Sequence, residues 1–224
     1  MITGGNWMTG RQRFEGKLTE VESLIVEMAK GTKQQLTDAV EALYQSNIEE
    51  AEKIVSNDKL LDRLDRKIND RAIVLLAREQ QVATDLRRLV VAIRISNDLE
   101  RMADNAKNIA RATIRLGKDH GLEVHPSIDD MRIIAEDMIE LSIKAYENED
   151  ITLARKLSEM DDQLDRIYAQ MMTELLTATS DKQKTQLIIQ MAFSGRYVER
   201  IGDHATNIGE DVMYLVKGES FNLN

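Results

Sequence analysis

The chain has no cysteine among its 224 residues, a single proline, and aromatic side chains at only 4% of positions. The lack of cysteine excludes disulfides and thiolate metal sites, and agrees with a reducing cytoplasm as the expected compartment. Scarce proline, few glycines and few aromatics favour long uninterrupted helices over sheet. No apolar run approaches the roughly 18 residues of a membrane span; Leu89 to Ile93 is typical of the longest. The opening stretch Met1 to Trp7 has neither a charged nor an apolar signal region, and Met8 is an equally good start. A formal net charge of −9 leaves no cationic footprint for nucleic acid. What remains, 42% hydrophobic and 31% charged residues, describes a folded soluble protein.

Apolar residues at three- and four-residue spacing predict six helices. They run over about 14–44, 48–78, 85–116, 128–148, 151–176 and 182–216, with a polar break near 80–84 and a turn at 177–180. Gly117 to Pro126 reads as the one clear linker, since it holds two glycines and the only proline. The expected division is a flexible start over 1–12, a three-helix bundle over 13–116, the linker over 117–126, a second bundle over 127–217 and a tail over 218–224. The fold class is all-α, two tandem, pseudo-symmetric and separable three-helix bundles.

The duplication is written in the residues. Glu100-Arg-Met-Ala-Asp104-Asn-Ala-Lys-Asn108-Ile recurs at an offset of 99 as Glu199-Arg-Ile-Gly-Asp203-His-Ala-Thr-Asn207-Ile. Asp58-Lys-Leu-Leu-Asp62-Arg recurs at an offset of 103 as Asp161-Asp-Gln-Leu-Asp165-Arg. In each E-x-x-x-D-x-x-x-N stretch the oxygen-bearing groups drift only about 40° per step and share one helix face. Stepping back from Glu100 along that face gives Ile93, Leu89, Leu86 and Val82, an inward set, while Arg87, Arg94, Asp98, Arg101 and Asn105 fall on the expected solvent wedge. Inward-facing carboxylates are costly unless something cationic meets them.

One acidic i, i+4 pair is weak evidence for a metal, because helix surfaces are full of them. Four pairs at matching places in a duplicated chain favour cation binding, with Glu100, Asp104, Asp58 and Asp62 in one half and Glu199, Asp203, Asp161 and Asp165 in the other. Asn108 and Asn207 add amide oxygens. Such helix pairs can bridge hard or borderline cations. The competing reading pairs these acids with Arg101, Arg200, Arg63 and Arg166. Of the three histidines, His120 and His125 are expected to be exposed in the linker. His204, about 140° round the helix from Glu199, is expected at the surface. Gly202, where the first copy has Ala103, suggests close helix approach.

Arg13-Phe14, the two repeated stretches and the duplicated six-helix pattern together resemble the PhoU family, from about Arg13 to Val216. The resemblance implies two three-helix bundles holding multinuclear metal clusters (iron, zinc, manganese or magnesium) through the E(D)-x-x-x-D residues named above. It implies a regulator that restrains the phosphate regulon by linking the phosphate ABC transporter, through its ATPase PstB, to the sensor kinase PhoR. The chain would then be peripheral to membrane complexes, without nucleic-acid binding or catalysis, and the resemblance leaves room for a homodimer. The alternatives are a metal-free helical scaffold and a carboxylate-bridged di-iron enzyme. The latter needs Glu-x-x-His pairs, and no histidine here stands three residues after a glutamate.

Overall fold

Residues with a 3.6-residue apolar period and almost no proline bury one stripe by packing helix on helix. The computed structural model describes residues 5–78, 82–118, 123–177 and 182–223, and every regular element among them is helical. The helices are α1 (Gly5–Gln45), α2 (Ile48–Asn57), α3 (Lys59–Arg78), α4 (Ala83–Leu116), α5 (Ser127–Asn148), α6 (Ile151–Thr177) and α7 (Lys182–Lys217). They form six rods, because α2 and α3 are one predicted helix interrupted at Asp58. The interruption is slight: the Asp58 carbonyl still accepts from Leu61 N and Asp62 N. None of the described helices is long and apolar enough to cross a membrane.

The two bundles repeat even in their turns. α1 ends at Ser46 and α5 at Glu149, both left-handed, with φ of 50° and 49°. Each is followed by a capping residue. Asn47 Oδ1 accepts from Glu50 N at 3.1 Å, and Asp150 Oδ1 accepts from Thr152 N at 2.7 Å. Such caps satisfy amides that the helix start leaves unpaired.

Several expectations are corrected. The bundles share a core: α4 packs along α7 and α1 along α5, and the buried side chains of both halves merge. The start over 1–12 is not all flexible, since α1 begins at Gly5 and Arg11 pairs with buried Asp85. That pairing turns Asp85 inward and leaves Leu86 and Val82, expected in the core, 48% and 59% exposed. The tail also folds back rather than fraying. Leu223 N donates to Glu210 at 2.7 Å, Ser158 donates to Leu223 O at 2.7 Å, and Lys217 sits over the Phe221 ring. His125 is not an exposed linker residue, as its ring is held by Glu174 and accepts from Ser127 N. His120, and parts of the expected break at 80–84 and turn at 177–180, lie outside the described residues.

The solvent wedge expected on α4 is in part an interface. Asp98 accepts from Asn207 Nδ2 at 3.3 Å and bonds His204 Nδ1 at 2.8 Å, and Arg94 pairs with Asp211 at 3.0 Å. Asn105 is buried, donating to Arg101 O. Asp98 can face inward here because His204 and Asn207 of α7 meet it, and Asn105 because its own helix does.

Candidate metal centres

Each half packs its middle rod against its last helix, the two elements that carry the acids. In the first half Asp58, at the α2–α3 break, is buried and doubly bound. Gln35 Nε2 of α1 donates to Asp58 Oδ1 at 3.0 Å and to Ala103 O at 2.9 Å. Lys107 Nζ bridges Asp58 Oδ2 and Asp104 Oδ1. Burial alone would lower the Lys107 ammonium, but its bonds to Asp104 and Asp58 outweigh that and push it up. Glu100 is raised, first by burial and then by the charge of Asp104, with Asp65 and Asp62 adding to it. Arg101, the partner in the competing reading, reaches Glu100 at 3.7 Å.

In the second half the acids converge with less help. Asp161 is 8% exposed and Glu199 7%. Burial raises Asp161 to about 6, with Asp203 and Asp165 contributing and the nearby Thr206 hydroxyl working the other way. Burial and Asp203 push Glu199 to about 7 against the opposing charge of Arg196, and burial raises Asp203 as well. Arg196 Nη1 meets Glu199 Oε1, while Glu199 Oε2 and Asp161 Oδ1 have no hydrogen-bond partner among the described residues. Orphaned buried oxygens of this kind call for a proton, a water or a cation.

The eight carboxylates expected from the sequence thus form two sets linked by charge, Asp58 and Asp104 through Lys107 with Glu100 feeling Asp104 and Asp62, and Asp161 and Glu199 feeling Asp203 and the exposed Asp165. The two asparagines are engaged elsewhere: Asn108 Oδ1 accepts from Arg111 at 3.0 Å, and Asn207 donates across to Asp98. His204 is no surface residue, since Asp98 of α4 holds it and its side chain is 16% exposed. Four participants escaped sequence reading. Asp65, three residues after Asp62, has a signal in its spacing, and it accepts from Ser96 at 2.7 Å. Lys107 lies inside the repeated stretch, and Gln35 and Arg196 sit one helix and one turn away. The Arg63 pairing of the competing reading is absent among the described contacts, its Nε donating to Lys59 O instead.

As it stands, no described group of three His, Asp or Glu side chains is closed to coordinating distance. Bare carboxylates repel, and a cation would have to draw them in. The donor set nonetheless fits a hard cation: all oxygen, partly desolvated and short of positive charge in the second half.

The PhoU domain family model matches residues 25–113 and 128–212. The chain belongs to the PhoU family. Each match spans one of the two acid clusters. A phosphate-specific transport system accessory protein PhoU homologue of Clostridium acetobutylicum is 34% identical over 216 residues, covering 96% of this chain and 99% of that protein. Its counterpart from Aquifex aeolicus is 35% identical over 204 residues, covering 91% and 92%. Among solved structures, PhoU from Pseudomonas aeruginosa superposes with a TM-score of 0.85 at 30% identity, covering 92% of this chain and all of the other. The phosphate transport system regulatory protein PhoU from Streptococcus pneumoniae gives 0.87 at 25% identity, covering 93% and 99%. The PhoU fold, six rods in two bundles, is thus shared along nearly the whole chain.

Proposed function

We propose that this chain is an accessory and regulatory protein of phosphate uptake. Its support is membership of a family whose relatives carry that description along nearly their full length. In the finer reading it works in the cytoplasm, docks on the ATPase PstB of the phosphate ABC transporter and on the sensor kinase PhoR, and restrains the phosphate regulon. It acts by binding and not by covalent catalysis. Metal ions would be held by the acid clusters, and their part would be to neutralise convergent carboxylates and lock the last helix of a bundle to its middle rod.

The observation that carries the metal reading is the pair of buried, unpartnered oxygens, Asp161 Oδ1 and Glu199 Oε2, both under the charge of Asp203 and Asp165. Regulation is tested in a bacterium deleted for its own family member. Without the chain, phosphate uptake and starvation genes should stay active in phosphate-replete medium, and expressing it should repress both. Unchanged repression on complementation by Glu199→Gln with Asp203→Asn would separate regulation from the metal and favour a metal-free adaptor. If the unmodified chain fails to repress, the regulatory reading falls.

A further inference from the structure

The two acid clusters come from one repeated unit, but they are neutralised differently. In the first, Lys107 Nζ touches Asp58 and Asp104 together, and its side chain is only 14% exposed. The residue at the same place in the second copy, 99 positions on, is Thr206. Its buried hydroxyl donates to Gly202 O of its own helix at 3.2 Å and, though near enough to Asp161 to ease its ionisation, brings no charge. The other donor of the first cluster is also lost. Gln35 binds Asp58 and the carbonyl of Ala103; 103 positions on stands Met138, whose sulfur lies 3.5 Å from where a Cβ on Gly202 would be. A thioether cannot donate a hydrogen bond. Both Asp161 and Glu199 are more than nine-tenths buried and keep one oxygen each without a partner. Arg196 reaches Glu199 Oε1 alone, from a side chain that is 47% exposed.

We propose that Lys107 is a resident cation that closes the first cluster to metal, so that this chain takes its multivalent cation in the second half, at Asp161, Asp165, Glu199 and Asp203. The inference rests on the metal reading above and makes it specific to one half. A divalent ion entering the first cluster must evict an ammonium from two carboxylates or share a small, poorly solvated space with it, and like charges a few ångströms apart repel strongly there. In the second cluster Arg196 holds only Glu199 Oε1, from a half-exposed side chain, so Asp161 Oδ1 and Glu199 Oε2 are open without its leaving. The donors it offers are carboxylate oxygens only. Cysteine is absent from the chain and His204 is turned to Asp98, which suits manganese- or magnesium-like ions better than ions preferring nitrogen or sulfur.

The probe is Mn(II) added to the full chain after chelator treatment and desalting, with bound metal per chain and melting temperature as readouts. Wild type should bind Mn(II), and Asp203→Asn or Glu199→Gln should abolish it, while Asp104→Asn leaves it intact. Lys107→Thr, which gives the first half the residue of the second, should roughly double the metal bound, since a ligand set freed of its counter-ion becomes available. Thr206→Lys makes the opposite exchange and should remove Mn(II) and its stabilisation, with helicity by circular dichroism showing that the variant folds. Equal loading of both halves in wild type, or loss of metal in Asp104→Asn to the same degree as in Asp203→Asn, would overturn the asymmetry while leaving the metal reading standing. Wild type that binds no Mn(II) and melts alike with and without it would overturn both.

Discussion

Asp58 and Asp161 hold equivalent places in the two halves, but the helix is interrupted at the first and runs on through the second. The interruption coincides with Asp58 being tied on both oxygens, to Gln35 of α1 and to Lys107 of α4. Asp161 has no such pull, and Gly202 lets α6 come close: a Cβ there would stand 2.5 Å from Leu164 Cδ2 and 3.1 Å from Asp161 Oδ1. The same spacing of acids thus produces a satisfied cluster in one half and an unsatisfied one in the other. The lesson is that a carboxylate motif specifies position, while the residues around it decide whether the charge is already answered.

The largest effect that tests this contrast is metal itself. A cation held on the second cluster at about a thousand times its Kd stabilises the fold by about 4 kcal/mol. Chelation should lower the melting temperature of wild type accordingly, and Asp203→Asn together with Asp104→Asn should erase both the metal and the chelator effect. A double variant that keeps its full metal content would show that these acids are not the ligands.

Next in size is Lys107→Ala measured without metal. It strands Asp58 and Asp104 and should cost about 3 kcal/mol, the usual loss when one partner of a buried pair is removed. Thr206→Val, its counterpart, gives up one neutral hydrogen bond and should cost about 1 kcal/mol. Denaturant titration of the two variants compares them directly, and equal losses would mean that Lys107 contributes no more than a threonine does.

A smaller effect concerns pH. Asp161 and Glu199 are raised in the fold to about 6 and about 7, from unfolded values of about 4. Between those limits the folded chain holds protons that the unfolded chain has released. Their contribution to stability is therefore full below about pH 4 and is lost as pH rises through about 7. Metal-free protein should melt higher at pH 5.5 than at pH 8. Glu199→Gln with Asp161→Asn should flatten much of the trend, leaving the remainder to Asp211, which burial raises to about 6 against the pull of Arg94, and to Asp203 and Glu100, which burial also raises. A melting temperature that climbs steadily from pH 5.5 to 8 would contradict the direction of these shifts.

The smallest effect lies between the halves. His204→Ala removes one of two donors to Asp98, leaving Asn207, and should cost roughly 0.5–1 kcal/mol. Asp98→Ala with His204→Ala should cost little more than Asp98→Ala alone, and additive losses would show that the two residues do not act as a pair.

Much of this was legible in the residues. Proline scarcity and the 3.6-residue period predicted the helices, and the offsets of 103 and 99 predicted two bundles with acids at matching places. Their spacing also put each acid pair on one helix face, because i and i+4 share a face on any helix. Lys107 was in plain view within the repeated stretch, but a lysine three residues after an aspartate looks like an ordinary surface pair until a second helix supplies Asp58.

What the sequence determined by itself is local: helix extent, the duplicated unit, and the stripe on which each acid lies. All of that follows from backbone hydrogen bonding and side-chain period, which depend on neighbours within a few residues. Tertiary structure alone decided which polar residues are buried and what meets them. The face of α4 carrying Arg94, Asp98 and Asn105 has the polarity of a solvent face, and packing against α7 encloses much of it because Asp211, His204 and Asn207 arrive from more than a hundred residues away. Likewise, whether a buried carboxylate is answered by Lys107 or left open beside Thr206 depends on distances across helices. Electrostatic and hydrogen-bond energies are set by those distances and by burial, and no periodicity along one strand of sequence encodes them.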